Sequence, residues 1–77
     1  MRLGLTKHSV KQRNWIRRIE MLSDYDIDPD RCYWVSQYAQ MMECGTSVIY
    51  RILGSNNSPM VYTKSEIVRR IKQEVGI

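Results

Sequence analysis

Residues 46–51, Thr-Ser-Val-Ile-Tyr-Arg, hold the densest recognition chemistry in the chain. Thr46 and Ser47 supply hydroxyls, Tyr50 a phenol and Arg51 a guanidinium. On a helix, Ser47, Tyr50, Arg51 and Gly54 recur at i, i+3, i+4 and i+7, with Thr46 beside them at the start. Ile49, Ile52 and Leu53, with Val48, fall on the other side and are expected to be buried. A helix that only filled a core would show Lys and Glu on its outer face, whereas this face carries no acid that would repel phosphate. Arginine pairs bidentately with guanine O6 and N7, and serine or threonine contacts base edges or phosphates. Thr46, Ser47, Tyr50 and Arg51 therefore form a candidate reading face.

Other chemistries find little support. His8 is the only histidine, expected in an N-terminal tail, and no nucleophile–base–acid set is visible. Cys32 and Cys44 are separated by eleven residues with no second ligand pair, unlike a zinc site. They read as reduced thiols in the core. The Asp spacing of SDYDIDPD resembles the opening of a calcium loop. However, Pro29 stands where the sharp-turn glycine belongs, and Val35 where a bidentate Glu belongs. No enzyme activity, metal, cofactor or small-molecule ligand is expected.

The elements that hold Thr46–Arg51 read as short helices. A chain of 77 residues is one domain, and at this size about 60% of the unfolded surface is buried. The first helix is expected over Ser9–Ser23, with Trp15, Ile16, Ile19 and Leu22 as its apolar stripe and Trp15 as a core anchor. SDYDIDPD then breaks the pattern, with Asp28-Pro29 suited to a turn or cap. Ser36 is expected to cap a second helix that buries Tyr38, Ala39 and Met42. Glu43-Cys44-Gly45 turns the chain into the helix carrying Arg51, and Gly54 ends that helix. SNNSP is a further turn. In the last helix Thr63 and Glu66 suggest a capping box, Ile67, Val68, Ile71 and Val75 make the stripe, and Gly76 is the stop. The run MVYT is β-like but too short to make a sheet alone. The expected fold is an all-α bundle of four to five helices. Its parts are an extension over 1–34, a helix-turn-helix over 35–54 and a closing helix over 63–76.

Charge adds a partner. The net charge is +4, unevenly spread. Residues 1–23 hold six basic groups against Glu20, residues 24–30 hold four aspartates and no base, and residues 31–77 hold six basic groups against three glutamates. Concentrated positive potential at both ends suits a polyanion. Lys11, Arg13, Arg17, Arg69 and Arg70 form a candidate basic patch, with Lys64 as a phosphate contact. Two helices joined by a three- or four-residue turn containing glycine fit the helix-turn-helix, whose second helix lies in the major groove. Backbone N–H groups near Ser36 and Gln37 can meet a phosphate.

VSQYAQMMECGTSVIYRILG resembles the headpiece of lactose-repressor-type regulators. Ala39 matches that family's close-packing alanine, Cys44 its turn valine, Ile49 its core valine, and Arg51-Ile52-Leu53 its R-V-L. SEIVRRIKQEVGI resembles the helix that closes such headpieces. The resemblance implies base contacts from Thr46 and Ser47 and a conserved-arginine role for Arg51. It also implies a phosphate contact from Tyr50 and loop contacts from Asn56 or Asn57. Glu43 occupies the family's turn-glycine position, residues 1–34 have no counterpart, and a hinge helix and sugar-binding domain are not expected. Lambda-type phage repressors share the four-helix arrangement and carry a helix ahead of the motif.

The function expected is sequence-specific binding of double-stranded DNA by a small phage or bacterial transcriptional regulator, such as a repressor. An excisionase-type winged helix, with PMVYT as one strand of a wing, is the alternative within DNA binding. A phage or mobile-element protein acting on a host protein through its acidic turn is the alternative outside it. A homodimer fits regulators of this kind. The stripe of the first helix can pack internally or across a two-fold axis, and the internal option is favoured because so short a chain needs that area for its core. With no apolar h-region and no run near the roughly 18 residues of a membrane span, a cytoplasmic protein without membrane contact is expected.

Overall fold

The structure is a computed structural model that describes residues 8–54 and 60–77. Asn56, Asn57 and the SNNSP turn lie outside the described residues. The elements are α1 (Val10–Met21), a 3-10 turn (Leu22–Asp24), β1 (Cys32–Trp34), α2 (Val35–Met41), α3 (Thr46–Leu53), β2 (Val61–Thr63) and α4 (Lys64–Val75). The chain is mostly helical, and the all-α expectation is corrected by a small antiparallel sheet. β1 pairs with β2 in the register Cys32↔Thr63, Tyr33↔Tyr62 and Trp34↔Val61. The run MVYT does lack the length for a sheet alone, but CYW supplies its partner strand.

α1 begins at a reciprocal cap. Ser9 Oγ accepts from the Gln12 N–H and Gln12 Oε1 accepts from the Ser9 N–H, satisfying two donors that a helix start leaves open. The Gln12 amide also donates to the carbonyls of Val75 at 2.9 Å and Gly76 at 3.4 Å, tying α1 to the end of α4. Trp15 and Leu22 are buried, and Ile19 packs against the core. Three of the four stripe residues thus pack onto their own domain, and Ile16 is half-buried beside them. The Arg18 guanidinium lies 4.8 Å from the centre of the Trp15 ring, a cation–π contact.

Asp28-Pro29 forms a turn instead of a helix cap, with Asp28 Oδ1 accepting from the Asp30 N–H at 3.0 Å, because the following residues extend into β1. Ser36 does not cap α2 either. Trp34 is held extended in β1, so the helix starts at Val35, and Gln37 Oε1 accepts from the Trp34 N–H at 2.8 Å. α4 is capped as expected at one end, where Thr63 Oγ1 accepts from the Glu66 N–H. The other half of that capping box is absent, because the Glu66 carboxylate meets Arg69 at 2.6 Å and Arg70 at 4.0 Å. Gly76 ends the helix in the left-handed conformation that glycine adopts freely, with φ 80°.

The core joins Trp15 and Leu22 to Val35, Tyr38, Ala39 and Met42 of α2 and its end, Ile49 and Leu53 of α3, Tyr62 of β2, and Ile67, Ile71 and Val75 of α4. Tyr38 is its largest fully buried side chain. Its hydroxyl donates to the Tyr62 carbonyl at 2.8 Å, pinning α2 to the ribbon. Burial pushes the Tyr38 phenol up to about 12, and the neighbouring Tyr33 and Cys32 add to the shift. An unfolded tyrosine ionises near pH ~10. Tyr38 therefore stabilises the fold fully below that pH, and the contribution drains away as pH rises towards the folded value. The melting temperature is expected to fall between pH 10 and 12 in the wild type, and the fall should be shallower in Tyr38→Phe. Equal slopes in the two proteins would remove Tyr38 from the account.

Candidate nucleic-acid interface

α2 and α3 are joined by residues 42–45, and the geometry of this turn decides where α3 points. Met42 caps the end of α2. Glu43 then takes φ 56°, among the described residues the only non-glycine with positive φ. The Glu43 N–H donates to the Gln40 carbonyl at 3.2 Å and the Cys44 N–H to the Ala39 carbonyl at 3.0 Å. These two bonds make a Schellman motif, which satisfies the open carbonyls at the end of α2 and reverses the chain sharply. The turn glycine expected by resemblance is replaced by a glutamate in the conformation glycine would have taken.

A glutamate there is strained by roughly 1–2 kcal/mol, partly offset in any glycine variant by the looser unfolded chain. Glu43→Gly is expected to raise stability by about 0.5–1 kcal/mol, a few degrees in melting temperature. Glu43→Ala, which removes the charge but keeps the strain, should leave the melting temperature near that of wild type. A glycine variant that melts lower than wild type would contradict the strain argument.

α3 starts after Gly45 with no side-chain cap, and the Val48 N–H donates back to the Gly45 carbonyl at 3.1 Å. Ile49 and Leu53 are buried and Val48 and Ile52 are half-buried, as the periodicity predicts. Thr46, Ser47, Arg51 and Gly54 are exposed. Tyr50 is only half-exposed because it packs against the core. Gly54 ends the helix at φ 82°.

The structure adds a residue to this face that no local pattern could have connected. Lys11 and Trp15 of α1 line a hollow of about 360 Å³ together with Val48, Arg51 and Ile52 of α3. Two cations thus stand over an apolar floor where α1 meets α3. Neither Lys11 nor Arg51 is in an ion pair among the described residues. Arg17 and Arg18 line a second hollow with Met21, Met42 and Glu43, beside the turn. Arg13 is exposed on the opposite side of α1 from Lys11.

The remaining candidates lie apart from α3. Lys64 and Arg69 share a hollow on α4 that has no residue in common with the one at Arg51. Arg69 and Arg70 are both drawn to Glu66. Ser36 is exposed on α2, and the Gln37 side chain is occupied in capping. His8 is half-buried and lines a hollow with Ile16, Ile19 and Ile77, so it is not a free tail residue.

Both cysteines are free thiols. Cys44 is half-buried, and burial pushes its thiol up against the opposing influence of Arg18. Cys32 is exposed on β1, contrary to the expectation that both lie in the core, because its side chain falls on the outer face of the ribbon while Tyr33 and Tyr62 face inwards. No helix among the described residues is long and apolar enough to cross a membrane. Comparison with protein-family models, curated proteins and solved structures finds no match to this chain.

Proposed function

We propose that this protein binds double-stranded DNA by placing α3 in the major groove. The observation that carries the reading is the α2–turn–α3 unit. Its Schellman turn aims an eight-residue helix outwards, with an acid-free polar face of Thr46, Ser47 and Arg51. Such a unit serves as a helix-turn-helix, in which the second helix reads base edges and its flanks meet phosphates. Lys11 extends the cationic surface beyond α3, so α1 contributes to binding as well as to the core. Within this reading, Arg51 contacts a base edge, and Lys11 and the Tyr50 hydroxyl contact backbone phosphates.

The ribbon favours an excisionase-type winged arrangement over an all-helical headpiece of the lactose-repressor type. β1 leads directly into α2, and β2 follows α3 and pairs back with β1. Selection from a random duplex library tests the reading and reports the site and its symmetry together. On the selected site, log affinity is expected to fall linearly with log salt at a slope of about −0.9 per phosphate contacted, with about three to six contacts for one small module. Affinity indifferent to salt between about 50 and 200 mM, or no enriched sequence, would count against DNA as the partner.

A further inference from the structure

The hollow on α4 is a separate feature. It encloses about 490 Å³ and is lined by Pro29, Lys64, Ser65, Val68, Arg69 and Lys72. Lys64, Val68 and Lys72 recur at i, i+4 and i+8, so an apolar strip runs between two ammonium groups along one side of the helix. Neither Lys64 nor Lys72 is in an ion pair among the described residues.

The opposite charge lies next to it in the same molecule. Asp24, Asp26, Asp28 and Asp30 are all exposed, no base occurs within residues 24–30, and none of these carboxylates is in an ion pair among the described residues. Between the first two stands Tyr25, an aromatic that is 46% exposed. Pro29, on the same loop, forms a wall of the hollow. The basic hollow and the acidic loop therefore meet along a shared border.

We propose that the hollow receives Asp24-Tyr25-Asp26 of a second copy of this chain, reciprocally, in a two-fold dimer. Adjacent patches of opposite sign are self-complementary across a two-fold axis, because each copy's loop then faces the other's hollow. The Tyr25 ring fills the space over Val68 and Pro29, and its flanking carboxylates meet Lys64 and Lys72. A phenol anchor ringed by charge pairs is a common form of interface centre. Two such contacts bury little area, which places the dimer among weak, salt-sensitive associations. The surface is independent of the one around Arg51, so dimerisation and DNA binding fail separately.

Sedimentation equilibrium of the full chain tests this with two charge-reversed variants, Asp24→Lys/Asp26→Lys and Lys64→Glu/Lys72→Glu. Wild type is expected to dimerise in the micromolar range and to dissociate as salt rises. Each variant alone should associate at least about tenfold more weakly, since like charges then face each other. An equimolar mixture should recover dimer, because each loop again meets a hollow of opposite sign. Tyr25→Ser should weaken association with all charges intact. Melting curves of the variants, all changed at exposed or half-exposed positions, verify the fold, and Tyr25→Ser carries the test if a reversed variant does not fold. Monomeric wild type, unchanged association in the variants, or a mixture that stays monomeric would overturn the proposal. So would a monomer whose DNA affinity drops with Lys64→Glu/Lys72→Glu, since the hollow would then belong to phosphates.

Discussion

Arg51→Ala is expected to weaken binding to the selected DNA site by about 1–3 kcal/mol, roughly 5- to 150-fold, and to flatten preference at one base pair. The guanidinium is exposed, unpaired among the described residues, and carried on the side of α3 away from Ile49 and Leu53. Its removal opens no cavity and strands no buried charge, so the melting temperature should stay within a few degrees of wild type. Arg70→Ala provides the contrast. That side chain lies on α4 near the Glu66 carboxylate, and its loss should weaken all sequences alike or not at all, lowering the salt slope by at most about one. Titration of both variants against the selected duplex and its single-base changes separates reading from attraction. Site preference left intact in Arg51→Ala would mean that the exposed face of α3 is not the reader.

Ile49→Ala is expected to cost about 2–5 kcal/mol. The side chain is fully buried on α3, and its loss leaves a gap in the core that α3 shares with α1, α2, β2 and α4. For a domain this small, total stability is only about 3–5 kcal/mol, so the variant should be substantially unfolded at room temperature. Ile49→Val, which removes one methylene, should lose about 0.5–1.5 kcal/mol and keep DNA binding. Urea unfolding followed by circular dichroism gives both values. A melting temperature for Ile49→Ala within two or three degrees of wild type would show that α3 is not anchored through this residue.

The helices were legible because their signals are local. Ser9, Thr63, Gly54 and Gly76 stand at helix ends, and the apolar spacings of α1, α3 and α4 place Trp15, Ile49 and Ile71 inwards as the 3.6-residue period requires. Of the strands, only β2 was legible, as the β-like run MVYT; β1 was not, since three residues give no measurable alternation, and the pairing of Tyr33 with Tyr62 spans the whole of α2 and α3. Missing β1 also misplaced the start of α2: an extended Trp34 moved the cap two residues ahead of Ser36, with the Gln37 side chain accepting from the Trp34 N–H. At the candidate site, the side chains on α3 follow from one helical period. The companionship of Lys11 and Arg51 does not, because only the tertiary fold brings α1 and α3 to the two sides of one hollow. Lys64 and Arg69 show the converse, since shared charge in sequence did not put them beside α3.

The ribbon also has a kinetic meaning. β1 and β2 sit at the two ends of the α2–α3 segment, so their hydrogen bonds, together with the one from the Val35 N–H to the Met60 carbonyl at 2.9 Å, close only after the intervening chain has doubled back. Contacts within α2, the turn and α3 join near neighbours and cost little closure entropy, whereas the strand pair bears the entropy of the whole loop. The ribbon is therefore a latch fastened late in folding, and weakening it would hasten opening more than it would slow formation.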